Sequence, residues 1–295
     1  AISTLRNISS SQAQYQACLD LDPQYLPALE ALRNIAVRRE DWHDVARYLD
    51  REQAATEQPR VRARLLTELG RVTAHYLDDE PKAIWCYQEA LRNDPDVEEA
   101  AWPLAMNYVG EARNAEAEPL IEMLLRKAGR RDPAEQLQLQ LTMGRIAVAQ
   151  GKIDRAIKAF TAAQALDRSN TEAIQSLAKA LFDKRDWENA FKNYQILLVH
   201  HKDDLEPEAR AELYQKLGVV KREQGDRRRA INFLEKALEE SPGYRPALES
   251  LIETYQAGNE WEQVIGYKTQ LLEQESDENV RYAMLVEIGG LWQEK

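Results

Sequence analysis

The feature that most constrains this chain is a small side chain that recurs, within an apolar helical pattern, at two alternating intervals. The recurring positions are Ser11, Val45, Ala83, Ala117, Ala156, Ala190, Ala230 and Val264. Successive positions are 34, 38, 34, 39, 34, 40 and 34 residues apart. Repeats of this length, with apolar residues at helical spacing, are typical of solenoids of helix pairs. The chain is therefore predicted to be all-α and to present a long concave surface, which favours binding over catalysis.

Charge and cysteine content exclude several other classes of protein. The 295 residues carry a formal charge of −11, and a surface of that sign repels a nucleic-acid backbone. The two cysteines, Cys18 and Cys86, form neither a disulfide framework nor a metal motif, so a reducing, cytoplasmic compartment is expected. No apolar run reaches membrane-spanning length. Because the chain starts without methionine and partway through a repeat, we expect a segment of a longer protein, and a periplasmic or membrane-anchored parent stays open.

The repeat itself carries a recognisable set of residues. Leu69-Gly70 precedes a turn, and Ala83, Tyr87 and Ala90 follow before the unit closes at Pro95. The stretch from Leu217-Gly218 to Pro242 repeats this order. A glycine inside a helix costs about 1 kcal/mol relative to alanine, so it needs a packing reason. We predict that Gly70 and Gly218, and Gly144 and Gly289 at the same position, let the first helix of a unit lie close to the second.

This pattern resembles the tetratricopeptide repeat (TPR), and the resemblance covers nearly the whole chain. It implies a right-handed α-solenoid of antiparallel helix pairs, each with a helix A followed by a helix B. The expected organisation is a partial repeat at 1–25, about seven tandem units over 26–276, and helix A of a truncated repeat at 277–295. Long bacterial arrays of this repeat are similar.

The alternating interval has a visible origin. The extra residues of the longer steps precede helix A, and three of these segments contain Pro59, Pro133 and Pro207, a residue that the first turn of a helix tolerates. We predict longer A helices there and a structural unit of two repeats, with an inter-repeat geometry that changes at every second unit.

Candidate chemical motifs are sparse. His200-His201 with Asp203-Asp204 has metal-ligand residue types, but adjacent helical histidines point about 100° apart, so a solvated turn is favoured. No phosphate loop, nucleophile elbow or paired-carboxylate signature is present. No metal site and no cofactor is predicted, and the chain is not expected to be an enzyme.

The TPR resemblance implies that helix A lines the concave surface, and this register selects a candidate binding site. In the second complete repeat it places Arg64, Thr67, Glu68 and Arg71 on that surface. The predicted site is an apolar strip with a basic rim. The strip consists of Trp102, Met106, Val109, Leu141 and Val148, and the rim of Arg71, Arg145 and Lys179. Such a strip suits an amphipathic helix or an extended peptide with acidic flanks. If the assigned register were wrong by one residue, the side chains of Trp102 and Met106 would instead point inward and pack between repeats.

The predicted function is a protein-protein interaction scaffold that holds a peptide, helix or small folded partner in its groove. The residue set with which related domains clamp the C-terminal tails of heat-shock chaperones is absent from any three successive repeats, so that partner class is disfavoured. Two alternatives stay open. The chain could be the regulatory or substrate-docking arm of an enzyme whose catalytic domain lies outside it, or its end repeats could stack on other copies.

Overall fold

The structure, a computed structural model, describes residues 2–127, 129, 131–202 and 205–293, with side chains from residue 11 onward. Within these residues the chain forms sixteen α-helices and no strand. In chain order the helices are α1 (Ile2–Leu21), α2 (Leu26–Arg38), α3 (Trp42–Ala55), α4 (Pro59–Tyr76), α5 (Glu80–Asn93), α6 (Glu98–Gly110), α7 (Asn114–Arg126), α8 (Pro133–Ala149), α9 (Ile153–Leu166), α10 (Thr171–Asp183), α11 (Trp187–His200), α12 (Pro207–Glu223), α13 (Arg227–Glu240), α14 (Arg245–Gln256), α15 (Trp261–Gln274) and α16 (Glu278–Gln293). The predicted fold class, an all-α array of TPR-like helix pairs, is confirmed. None of the helices in the described part of the chain has the length and apolar character needed to cross a membrane.

The helices belong to two units, Ala1–Ile146 and Ala147–Lys295, whose boundary falls within α8. In each unit the even-numbered helices occupy the helix A position and the odd-numbered helices the helix B position. The described B helices that follow an A helix have 13 or 14 residues.

The A helices alternate in length. α2, α6, α10 and α14 have 12 or 13 residues, whereas α4, α8, α12 and α16 have 16 to 18. Pro59, Pro133 and Pro207 are the first residues of three of the long helices. Proline is favoured at this position because its fixed φ suits the helix and its missing N–H has no intrahelical acceptor there.

Each turn from an A helix to its B helix contains one left-handed residue, in every pair that the structure describes. These residues are Glu40, Asp78, Ala112, Gly151, Arg185, Gly225 and Asn259, with φ between 53° and 80°. A left-handed residue ends a helix sharply and allows the chain to reverse. In four pairs the next residue is an aspartate whose side chain accepts the backbone N–H three residues later, as Asp186 does from Asn189 at 3.3 Å.

Close packing within the pairs uses glycine where the sequence predicts it. A β-carbon built on Gly70 would lie 2.6 Å from Cε1 of Tyr87, and one on Gly218 would lie 2.6 Å from Cγ of Leu234. Nothing lies within 4 Å of the β-carbon position of Gly289, since no described B helix follows α16, so its close-packing role stays a prediction.

Candidate functional site

The first unit contains an open groove of about 980 Å³ between α4, α5 and α6. Its wall consists of Arg64, Thr67, Glu68, Arg71, Ala74 and His75 from α4, Glu80, Ala83, Ile84 and Tyr87 from α5, Glu99, Trp102, Pro103 and Asn107 from α6, and Asp94, Asp96 and Val97 from the connection. The α4 residues recur every three or four positions, so they share one face of that helix. We call this cavity the α4–α6 groove.

Trp102 forms part of the groove wall and is held from behind by Arg131. The guanidinium carbon of Arg131 lies 5.5 Å from the indole centroid, within range of a cation–π contact. Arg131 is itself fixed by Glu98 and by Glu135, the latter at 3.1 Å. The indole is half-buried, so one part is packed and another part remains available to a ligand. Trp102 therefore lines the groove and packs against Arg131, and its contact with a binding partner stays a prediction.

Three acidic side chains of the groove already have partners. Glu68 lies 3.5 Å from Nη1 of Arg33, and Asp96 lies 3.5 Å from Nζ of Lys127. Glu80 accepts a hydrogen bond from Nδ2 of Asn107 at 3.3 Å. The two ion pairs reduce the negative charge that the groove presents to a ligand, whereas Glu80, Asp94 and Glu99 keep their charges in the wall.

The partner of Glu68 belongs to a mostly buried charge cluster behind the groove. Nε of Arg33 lies 2.8 Å from Oε1 of Glu52. Burial raises the pKa of Glu52, an effect that the hydrogen bond from Arg33 reduces without cancelling. Burial by itself lowers the pKa of Arg33, but the hydrogen bond and charge of Glu52, together with Glu68, raise it overall. Arg33 is therefore held in place as a fixed cation beside Glu68.

Unlike Glu68 and Asp96, the two arginines of the groove wall have no ion-pair partner among the described residues. Among the described residues no carboxylate lies within ion-pair distance of Arg64 or Arg71, and both side chains are exposed. Arg71 acts electrostatically on Tyr87: burial raises the pKa of this phenol, and the charge of Arg71 lowers it in part. The groove consequently offers two uncompensated cations on α4 opposite an aromatic surface on α6.

Two acceptor groups on α6 also lack ordinary partners. Pro103 lies inside the helix and has no N–H to donate to the carbonyl of Glu99, four residues earlier. Oδ1 of Asn107 is buried and has no donor among the described residues. Oδ1 of Asn107 is thus an unsatisfied acceptor that lies beneath the surface of the groove wall.

The predicted site residues do not all meet in this groove. It brings together Arg71 and Trp102, whereas Met106 and Val109 are half-buried on α6 outside its wall. Sδ of Met106 lies 3.9 Å from Nε2 of Gln138. Leu141 is only 6% exposed and offers little surface to a ligand.

The remaining predicted residues lie on α8 and in the second unit. Arg145 is exposed, with Nη2 3.2 Å from Oγ1 of Thr142. Val148 is 42% exposed and belongs to the second unit. Lys179 lines a smaller cavity of about 160 Å³ in that unit, together with Phe182 and Tyr194.

Sequence reasoning missed the contribution of the B helix to the groove. Ile84 and Tyr87 of α5 line its floor, although the predicted register considered A helices only. Arg64 was projected onto the concave face but was not included in the predicted basic rim. The signal that could have selected it is its spacing of seven residues from Arg71, which places both on one helix face.

The histidine pair His200-His201 lies outside the α4–α6 groove. Nδ1 of His201 lies 3.3 Å from Oγ1 of Thr171, and Asp203 and Asp204 lie outside the described residues. In the part of the chain that the structure describes, no three His, Cys, Asp or Glu side chains are grouped so that they could hold a metal ion.

The helix pairs and the groove define the class of helical-repeat scaffold proteins, and the comparisons with known proteins give the family. Three sequence profiles described as tetratricopeptide repeat match residues 137–170, 170–239 and 221–287, which together span slightly more than half of the chain. The chain belongs to the tetratricopeptide repeat superfamily. The comparison with curated protein sequences gives no match.

Two solved structures illustrate the similarity. The chain is similar to YrrB, described as a TPR protein with an unusual peptide-binding site, with 20% identity and a TM-score of 0.52 over 64% of this chain and 91% of that chain. It is also similar to a MamA RS-1 double mutant, with 16% identity and a TM-score of 0.52 over 61% of this chain and 97% of that chain. At these identities the likeness concerns the fold. Proteins built from this repeat are typically non-catalytic scaffolds that bind protein or peptide partners, and the chain has the architecture of that class.

Proposed function

We propose that the chain is a non-catalytic interaction scaffold whose first unit binds a peptide segment in the α4–α6 groove. The segment would carry carboxylates beside an apolar side chain. The observation that supports this proposal is the pair of uncompensated arginines on α4, Arg64 and Arg71, facing the half-buried indole of Trp102.

The size of the groove suits a short segment. Its volume of about 980 Å³ is at the upper end of the range for small-ligand sites, and it is open along one side. An open groove admits a continuous chain that enters and leaves at either end.

The spacing of the arginines suggests the spacing of the carboxylates. Seven residues of helix separate Arg64 and Arg71, which corresponds to about 10 Å along the α4 axis. A peptide in the polyproline II conformation has three residues per turn and rises about 3.1 Å per residue, so side chains three positions apart lie on one face about 9 Å apart. Such a peptide with two acids three positions apart would therefore place one carboxylate near each guanidinium, and the side chains between them would face away from α4.

The α6 wall would then contact the other side of the peptide. Trp102 on α6 and Ile84 on α5 provide apolar surface for the central side chain. An aromatic anchor within a charged rim is the usual composition of a binding hot spot. The rest of the predicted strip, from Met106 to Lys179, stays a prediction.

The proposal is tested with fluorescein-labelled peptides of the form acid–x–x–acid, with apolar residues at x, measured by fluorescence anisotropy. Arg64→Gln and Arg71→Gln each remove one charge at an exposed, unpaired position, so the fold is expected to persist. A hydrogen bond to a charged group contributes about 1.5–3 kcal/mol, so each variant should weaken binding about 10- to 100-fold. Arg228→Gln in the second unit makes the same change of charge at an exposed position and is the matched control.

A second variant separates the apolar contribution. Trp102→Leu keeps a large apolar side chain but removes the flat indole, and should weaken binding of the same peptides. Peptides with lysine in place of both acids should not bind. If the Arg64 and Arg71 variants bind the acidic peptides as tightly as the Arg228 control, the proposed groove is not the binding site.

A further inference from the structure

We propose that the second unit binds a free aliphatic α-amino acid in the cavity of about 160 Å³ between α10, α11 and α12. We call this cavity the α10–α12 cavity. The proposal is independent of the α4–α6 groove, because the cavity belongs to the other unit and would take a different class of ligand. It rests on a buried phenol, on four charged side chains and on the size of the cavity.

A buried phenol without a hydrogen-bond partner lines the α10–α12 cavity. Tyr194 of α11 is 3% exposed, and its hydroxyl has no hydrogen-bond partner among the described residues. Its ring lies edge-on to Phe182, with 6.3 Å between the ring centroids. Burial raises the pKa of Tyr194, and the charges of Asp183 and Glu212 raise it further, so the phenol keeps its proton. Because buried polar groups normally have partners, this hydroxyl indicates a polar occupant of the cavity.

Four charged side chains around the same cavity have no ion-pair partner in the described part of the chain. They are Lys179 and Asp183 on α10, and Glu212 and Lys216 on α12. On each helix the two opposite charges are four residues apart, a spacing at which they could pair with each other. Neither pair forms, and Nζ of Lys216 lies instead 5.0 Å from the ring centroid of Phe182. Each helix therefore presents to the cavity one ammonium and one carboxylate that no opposite charge neutralises.

Two charges of each sign suit a ligand that is itself a zwitterion. A ligand with only a carboxylate would face Asp183 and Glu212 as well as the lysines, and a ligand with only an ammonium would face Lys179 and Lys216. A molecule with both groups can direct its carboxylate to the lysines, and its ammonium to the acids and the phenol oxygen of Tyr194. Hydrogen bonds of this charged kind are roughly twice as strong as neutral ones.

The rest of the cavity wall selects the remainder of the ligand. Leu197, Leu205, Ala209 and Leu213 provide apolar surface. A cavity of about 150 Å³ holds a molecule the size of benzene. The α10–α12 cavity, at about 160 Å³, therefore has room for a short aliphatic side chain but not for a helix. A free amino acid such as leucine combines this size with the required charges.

Isothermal titration calorimetry with free L-leucine and two blocked forms of the same molecule tests the proposal. N-acetyl-leucine lacks the ammonium and leucinamide lacks the carboxylate, so they resemble the last and the first residue of a polypeptide. Free leucine should bind at one site per chain. Each blocked form should bind at least about 10-fold more weakly, because it leaves two of the four charged side chains without a partner.

Two variants remove single charges from the cavity. Glu212→Gln and Lys179→Gln each change a side chain that has no ion-pair partner among the described residues, so the fold is expected to persist. Each should weaken the binding of leucine about 10-fold or more. Glu239→Gln and Lys158→Gln make the same changes at exposed positions of the second unit outside the cavity, and should bind leucine like the unchanged chain.

Tyr194→Phe removes only the hydroxyl group. Since this hydroxyl has no hydrogen-bond partner among the described residues, the thermal unfolding temperature without ligand should not fall. The binding of leucine should weaken about 3- to 10-fold. The same variant should bind the acidic peptides proposed for the α4–α6 groove as tightly as the unchanged chain, so the two proposals can fail separately.

Three results would overturn the proposal. One is a chain that binds no leucine at any concentration up to the solubility limit. Another is equal binding of free leucine and both blocked forms, which would identify the ligand as part of a polypeptide. The third is an unchanged affinity for leucine in Glu212→Gln, Lys179→Gln and Tyr194→Phe, which would place the bound leucine outside the α10–α12 cavity.

Discussion

The strictest test of the packing is the replacement of Gly218 by alanine. The new β-carbon would lie 2.6 Å from Cγ and 2.7 Å from Cδ2 of Leu234, and 3.2 Å from the carbonyl oxygen of Ala230. Leu234 is fully buried in the core that it shares with Leu248 and Leu251. Neither a branch carbon in a packed core nor a backbone oxygen can move aside easily, so α12 and α13 would have to separate.

Two opposing effects set the magnitude. Alanine is favoured over glycine in a helix by about 1 kcal/mol, and overpacking of a core costs about 1–3 kcal/mol. Because a backbone atom is among those crowded, we expect overpacking to dominate at Gly218, with a net loss of about 1–2 kcal/mol. Gly266→Ala is the matched control: nothing surrounds its β-carbon position, so it should gain up to about 1 kcal/mol.

Urea unfolding followed by circular dichroism compares the two variants with the unchanged chain. Leu234→Ala should remove most of the clash, so Gly218→Ala should cost less in that background than alone. Contacting residues typically couple by about 0.5–3 kcal/mol in such a double-mutant cycle. If Gly218→Ala were as stabilising as Gly266→Ala, or the cycle showed no coupling, the close-packing role of this glycine would be refuted.

Three further predictions follow from local features. Ala112 has a φ of 58°, which costs a non-glycine residue about 1–2 kcal/mol, so Ala112→Gly should raise the thermal unfolding temperature, and a lower temperature would contradict this account. Burial raises the pKa of Cys86 to about 12, so near pH 8 a thiol reagent should label the exposed Cys18 and reach Cys86 only on unfolding; equal rates would contradict this. The pKa of Glu240 is lowered in the folded chain, first by the hydrogen bond from Lys202. Its carboxylate therefore stabilises the fold at pH values above the pKa of the unfolded chain, and this stabilisation is lost as the pH falls through the lower pKa of the folded chain. Glu240→Gln should therefore lose less stability than the unchanged chain between neutral and acidic pH in urea titrations, and an identical loss would exclude this role.

Local features of the fold follow from the sequence because each repeat is specified by nearby residues. Proline marks the first residue of three long A helices, and Asp186 caps α11 directly after the left-handed Arg185. The glycine contact is also predictable, since Gly70 and Tyr87 belong to the same pair. Interactions within one helix pair join residues less than about 40 positions apart, and the repeat pattern reproduces them.

The candidate site is only partly predictable from the same pattern. The register of α4 places Arg64 and Arg71 on the concave face, but it does not show which charges are neutralised. Glu68 is paired with Arg33 of the preceding repeat, and Asp96 with Lys127 at the end of the following B helix. Such pairs depend on how long, flexible side chains meet between neighbouring helices.

The sequence by itself determined the helix pairs, their alternating lengths and the glycines that let paired helices approach, because these follow from periodicity and local backbone preferences. Only the tertiary structure decided that Arg131 holds the indole of Trp102 from behind and that Leu141 is buried. It also decided that Arg64 and Arg71 keep free guanidinium groups in the described groove. The reason is physical: a repeat pattern fixes the face of a helix, whereas the burial and pairing of each side chain depend on the neighbouring helices that pack against it.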